Sequence, residues 1–386
     1  IEPATPAQPA VVSDVASAPL EQMRIEEAQE VATGAGVTVA VVDAVVAPVP
    51  QIPSLPGEDL VGGGITLDHG TVVAGIIAGA DRVVEGQPLP VGVAPDARIL
   101  PVRIVGAVDP EDQAAGLPPF GTDVVVEALR RVEARADEID IVNLSFNTGP
   151  TPELRDAIEA VQRAGVIVVA ATANRDPDVE MPEPGGATPI PVQDQVFPAS
   201  YPGVLGVTTY TPIQDDNGEP VAPETFITAS PAIDVAVPSQ NGVSYGPNGS
   251  SCVLFVPATS WATAYASGVL ALLVEEYGDE ESPEEIVARL VDTASGVPDQ
   301  RSVITGAGVV QPMEALTREV DTDSRGAPVV PEQVDDADGG QAQPPPIRED
   351  ELAQSRDDFR WWGLLAGAVL VGAVILRPLL RRIRRS

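Results

Sequence analysis

The 386-residue chain carries 57 acidic against 22 basic side chains, a formal net charge of −35; a phosphate backbone would be repelled by it, which excludes nucleic acid as a partner. Its 44% hydrophobic content is ample for a buried core and excludes a disordered chain. The lone cysteine, Cys252, excludes an intramolecular disulfide framework or a multi-thiolate zinc site, and the lone histidine, His69, leaves one candidate imidazole base.

Residues 1–20 are rich in Ala, Pro and Val without helical or strand period and read as an extended arm. From about Gly36 to Ala315, short apolar runs alternate with amphipathic segments, the pattern of βαβ units around a mostly parallel sheet. GVTVAVVD (36–43), ARILPVRIV (97–105), IDIVNLSF (139–146) and GVIVVAA (165–171) are the predicted strands, each too apolar for a sheet with one wet face. Val125, Ala128, Leu129 and Val132 fall at helical spacing within Thr122 to Ala136, and Thr151-Pro152 opens a second helix that stops at Gly165. Asn217-Gly218 and Asn248-Gly249 signal hairpin turns. Ser282-Pro283-Glu284-Glu285 opens a late helix, with serine to cap, proline in the first turn and acids at the positive end of the dipole. The expected fold is therefore α/β, one domain over residues 21–318 with helices flanking the sheet.

Residues 319–358 turn acidic and rich in Pro and Gly, almost free of large apolar side chains, and read as a flexible stalk. The run from Trp361 to Leu376 comes next. A membrane span needs roughly 20 apolar residues, which a helix over 359–380 supplies if Arg377 snorkels and Leu379 and Leu380 are counted. The paired tryptophans suit one interface, and the basic tail 381–386 suits the cytoplasmic side, so the main domain is expected outside. A buried C-terminal helix is the alternative; the stalk that separates the run from any core argues against it.

Three polar residues stand out, each with an ordinary explanation beside the chemical one. Asp43 ends the first strand, at the carboxyl edge where open parallel sheets place their sites, though a lone acid there also caps turns. His69, in Asp68-His69-Gly70-Thr71-Val72-Val73-Ala74-Gly75, stands at a helix start, where a histidine is more often structural. Ser260 opens a helix that continues Trp261-Ala262-Thr263-Ala264-Tyr265-Ala266-Ser267-Gly268, where a serine is usually an N-cap.

Together these segments resemble the subtilisin family, whose triad runs Asp, His, Ser along the chain. The match to HGT-x-VAG-x-IA around His69 is nearly complete, and Pro257 to Leu273 looks like the family's G-T-S-x-A-x-P-x-x-x-G-x-x-AL motif. Gly92 to Ala97, Ile141 to Ser145 and Phe197 to Val204 match further segments. The resemblance implies that Asp43 orients His69, that His69 takes and returns the Ser260 proton, and that Ser260 attacks a peptide carbonyl. It also implies that Asn174, in Ala171-Thr172-Ala173-Asn174, joins the Ser260 N–H in an oxyanion hole; an ordinary loop amide is the alternative.

Within the family the likeness is to the mycosins, the membrane-anchored proteases of type VII secretion. It rests on Gln22 to Val41, on Gly306-Ala307-Gly308-Val309-Val310-Gln311-Pro312, and on the Pro-rich stalk with a terminal apolar run. Secreted protein or peptide substrates, a membrane and components of the secretion channel are the implied partners. Ala44 and Val45, Ala173, Ala258 and Ala264 depart from the family's pattern of Thr or Ser-Gly, Gly, Gly and Pro. A second function class therefore stays open: a catalytically degenerate subtilisin fold serving as a binding or structural subunit. No cofactor is required; structural calcium at the acidic runs 109–112, 176–183, 215–216 and 278–281 is possible but unsupported, because they lack metal-loop spacing and charged runs are usually solvated surface.

Overall fold

A computed structural model describes residues 13–319 apart from 108–111, 114–115, 176–191, 211–212, 215–219, 222–224 and 298–299. The chain divides into a unit spanning Ile1–Val329 and a second, Val330–Ser386, all of it outside the described residues. The expected stalk, membrane span and basic tail thus lie outside the described residues. Among those described, no helix is long and apolar enough to cross a membrane.

The central sheet has seven strands: β1 Thr38–Asp43, β2 Glu58–Asp59, β3 Arg98–Arg103, β4 Ile141–Leu144, β5 Ile167–Ala171, β6 Leu205–Thr209 and β7 Val235–Val237. Their order is β7-β6-β5-β4-β1-β3-β2, every neighbour parallel. All four predicted strands are present. The middle ones are buried on both faces, as their uninterrupted apolar sequences require.

Along β1 the side chains alternate between two cores. Val39 and Val41 join one with Val72, Ile76, Leu270 and Leu290, while Ala40 and Val42 join the other with Val125, Leu129, Leu154 and Ile158. The second core belongs to helices α4 (Thr122–Glu133) and α5 (Pro152–Arg163). The first belongs to α3 (His69–Ala78), α6 (Thr259–Tyr277) and α7 (Pro283–Asp292) on the opposite face, giving three layers. Thr151 caps α5 by accepting from the Leu154 N–H at 3.1 Å, and Ser282 and Glu285 form a reciprocal capping box on α7.

The boundary expected at residue 20 moves. Helix α1 (Ala18–Gln22) takes in the last three residues of the expected arm, followed by α2 (Ile25–Gln29), and Ser17, Pro19 and Leu20 are buried. Upstream of α1 the chain docks on the domain. The Arg82 guanidinium donates to the Ser13 and Val15 carbonyls, Ser13 N donates to Ser251 Oγ at 2.6 Å, and Ala18 N donates to Asn241 O at 3.2 Å. The Asn248-Gly249 turn closes the antiparallel pair Gly242–Tyr245 and Ser251–Leu254 as expected; Asn217-Gly218 lies outside the described residues.

Candidate active site

Asp43 is the last residue of β1, His69 the first of α3, Ser145 follows β4, and Asn174 follows β5. All lie at the carboxyl edge of the sheet, beside the N-terminus of α6, where Ser260 is the second residue. Close packing at this edge needs small residues. A Cβ on Gly70 would run into the Ala44 carbonyl, so glycine lets the first turn of α3 lie directly on the turn after β1.

The structure joins the expected acid and base. His69 Nδ1 lies 2.8 Å from Asp43 Oδ1 and 2.9 Å from Oδ2. An ionised carboxylate only accepts, so Nδ1 carries the proton and Nε2 keeps its lone pair. The adjoining strand brings Arg103 level with Asp43, yet its guanidinium turns to Asp59 at 3.2 Å and to the Gly63 and Gly64 carbonyls at 3.1 and 2.7 Å. Asp43, buried, is thus left to His69 and to the Ala44 N–H, which donates to Oδ1 at 2.6 Å. Burial pulls the imidazole pKa down, but the charge and hydrogen bond of Asp43, with a smaller contribution from Asp68, outweigh it and hold the pKa above the ordinary 6.5.

Ser260 departs from the N-cap reading. Ala258 is the cap residue, and the Ser260 hydroxyl donates to the Ser145 carbonyl at 3.0 Å instead of capping the helix. Nor does it bond to His69 in this arrangement. The Ser145 hydroxyl returns the contact, lying 3.1 Å from the Ser260 carbonyl and 2.8 Å from Asn143 Oδ1. Asn143 is fully buried and donates from Nδ2 to Ser267 Oγ at 3.0 Å. Ser267 and Thr263 each bond the carbonyl four residues back, at 2.9 and 2.8 Å. A buried polar chain therefore ties α6 to β4 directly beneath the serine. The sequence carries a signal for Asn143, a carboxamide inside an apolar strand.

Asn174 accepts at Oδ1 from the Thr259 N–H at 2.9 Å, beside the α6 N-terminus, so its Oδ1 is engaged and its Nδ2 donates to no described residue. No described residue accepts from the Ser260 N–H. The alanines that replace glycine introduce no backbone strain: Ala258 is extended at φ −148, and among described non-glycine residues only Arg24, Glu85 and Asn241 have positive φ.

The sequence matches the subtilase family (peptidase S8) over residues 65–325. The chain is a member of the subtilase family. It is 33% identical over 347 residues to Mycosin-1 of Mycobacterium tuberculosis, covering 79% of this chain and 74% of the relative. Its structure resembles that of MycP1 from Mycobacterium smegmatis, with TM-score 0.65 and 29% identity over 83% of this chain and 91% of that one. It also resembles MycP1 from the ESX-1 type VII secretion system, with TM-score 0.64 and 29% identity over 83% and 92% of the two chains. The subtilisin-like fold, the peptidase S8 family and the likeness to mycosins expected from the sequence all hold.

In this subtilase no group of three or more His, Cys, Asp or Glu side chains able to hold a metal is present among the described residues. Three of the acidic runs lie wholly or partly outside them; in the fourth, Glu281 pairs with Arg289.

Proposed function

We propose that this chain is a serine endopeptidase in which Asp43 orients His69, His69 removes the Ser260 proton, and Ser260 attacks a peptide carbonyl. The observation that carries the reading is the two-oxygen hold of Asp43 on His69 Nδ1, which leaves Nε2 basic on a partly exposed ring. This reading requires the Ser260 hydroxyl to give up the Ser145 carbonyl and take the imidazole as its acceptor. The tetrahedral oxyanion would then be met by the Ser260 N–H and Asn174 Nδ2. As the proton passes to Nε2 the C–O bond forms, and the same proton leaves with the amine when the C–N bond breaks.

The apolar run 359–380 and the basic tail support a single membrane anchor with the peptidase domain outside the cytoplasm. Likeness to MycP1 of the ESX-1 type VII secretion system supports work alongside a secretion channel on secreted proteins or peptides. A second reading, a non-catalytic subunit of such a complex, is favoured by the bond of Ser260 to Ser145 and by Ala44, Ala173 and Ala258 in place of glycines.

A fluorophosphonate separates the two, because labelling needs an activated serine and an open oxyanion site. The expected result is one adduct, on Ser260, abolished by Ser260→Ala and by His69→Ala. A folded wild-type chain that takes no label transfers the assignment to the binding subunit.

A further inference from the structure

His69 has a neighbour that the triad does not use. Trp261, the residue after Ser260, lies with its ring centroid 4.8 Å from that of the imidazole, the planes inclined by 31°. The indole is half-buried and packs against the core through α6, so its place is fixed by the helix that carries the nucleophile. An aromatic face is the negative pole of a quadrupole. A cation within about 6 Å of the ring centroid is stabilised by it, tryptophan most strongly.

We infer that Trp261 is a positioning residue for proton transfer: its face steadies the His69 ring against Asp43 and favours the imidazolium over the neutral imidazole. The groups around the ring give the indole this task. Asp43 meets the Nδ1 edge from β1, and Asp68 adds a second negative charge from the start of α3. Ser260 and Trp261 come from α6. Cys252, on the neighbouring hairpin, stays a neutral thiol, since burial and then Asp68 push its pKa to about 11. Arg103 is turned to its own carbonyls and to Asp59. The carboxylates therefore act from the edge and from the helix start, while the ring face is covered by tryptophan alone among these groups. Ordinary packing would explain the same contact without any effect on charge, and the two accounts differ in a measurable way.

His69 is the only histidine, so its imidazole gives a single, unambiguous resonance in the full-length chain labelled with carbon-13 histidine. Its titration should be compared in wild type, Trp261→Phe and Trp261→Leu. The phenylalanine variant keeps an aromatic face and should hold the proton within about twofold of wild type. The leucine variant keeps apolar bulk without the quadrupole and should hold it about 2- to 30-fold more weakly, the range of one cation–π contact. Leucine and phenylalanine variants that titrate together, or a leucine variant that binds the proton more tightly, would overturn the inference.

Indole emission gives a second measurement that needs no substitution at Trp261. Contact with an imidazolium quenches it, so wild-type fluorescence should fall on acidification with the midpoint of His69, and His69→Ala should remove that step while leaving the background of Trp361 and Trp362. A wild-type chain without the step refutes the contact. The consequence for turnover rests on the triad reading above, but the titration does not. An unlabelled chain whose His69 still responds to Trp261 defeats that reading and leaves this one standing.

Discussion

Removing the carboxamide beneath the serine probes how far the site depends on its buried support. Asn143 makes two hydrogen bonds, accepting from Ser145 Oγ at 2.8 Å and donating to Ser267 Oγ at 3.0 Å, and is fully buried between β4 and α6. Each such bond contributes about 1 kcal/mol net, and a buried hydroxyl deprived of a partner adds to the loss. Asn143→Ala should therefore destabilise the chain by about 2 to 4 kcal/mol in denaturant unfolding at 25 °C. Ser267→Ala should cost less, about 1 to 2 kcal/mol, because it removes one partner of Asn143 and its own bond to Thr263. In the double variant the shared bond is lost once, so the two effects should fall short of additive by about 1 kcal/mol. Ser145 also holds the Ser260 peptide, so fluorophosphonate labelling of Asn143→Ala should slow by about 10-fold or more, the scale of a small misplacement of a reacting atom. Additive stabilities, together with a labelling rate within about twofold of wild type, would show that this chain of bonds supports neither the helix nor the serine.

The same geometry fixes four further outcomes. Asp43→Asn retains the shape but removes the charge and the preferred tautomer, so labelling and peptide hydrolysis should fall by about 10⁴-fold; a loss under about tenfold would mean that His69 is not working through Asp43. Because the native imidazole pKa is raised above 6.5, its pairing with Asp43 stabilises the fold fully below that value and is lost as the pH climbs through the native pKa. Unfolding free energy should thus decline across that window in wild type and not in His69→Phe, and the acid limb of labelling, which needs the neutral base, should lie above pH 6.5. Gly70→Ala drives a Cβ into the Ala44 carbonyl and should destabilise by about 1 to 3 kcal/mol while slowing labelling, as thermal melts and adduct kinetics would report. Restoring Ala173→Gly and Ala258→Gly together should leave labelling unchanged but raise kcat/KM on a peptide substrate; an unchanged kcat/KM would clear the two methyls of obstructing the substrate backbone.

The site is legible in the sequence where local chemistry repeats a pattern. His69 and Gly70 can be placed at a helix start because a run of small residues is what lets α3 lie on the turn after β1, and Asp43 because an uninterrupted apolar strand ends on it. β1 and β5 carry the same signal, an apolar run rich in β-branched residues and buried on both faces, which β3 and β4 keep in part around Arg98, Pro101, Arg103 and Asn143. β2 and β7 escape prediction because two and three residues hold no period, and β6, Leu205–Thr209, follows a Pro202-Gly203 turn but is a short run interrupted by Gly206. The expected arm overruns by three residues: Ala18, Pro19 and Leu20 lie in α1, where Leu20 is buried against the core. At Ser260 the commonest role of a serine at a helix start, the N-cap, gives way to a tertiary contact. Its acceptor, the Ser145 carbonyl, is 115 residues away in sequence, and no local pattern could reveal it.

The replaced glycines bear differently on fold and chemistry. Ala258 is extended and unstrained, and it lowers the entropy of the unfolded chain, although alanine is a poorer N-cap than glycine. Neither Ala44 nor Ala173 needs a positive φ. These positions therefore carry no positive-φ strain that a loss of function would have to explain. The Asp43–His69 pair, by contrast, places an acid in a buried setting with only the imidazole and one backbone N–H to accept from, and leaves Arg103 engaged elsewhere. Stability alone does not call for that arrangement, since apolar residues of similar volume are often no less stable in place of a buried ion pair. On the serine-endopeptidase reading, the methyls at 173 and 258 would bear on what reaches the serine and the buried pair on how it is activated, so the peptide-substrate and labelling measurements test them separately.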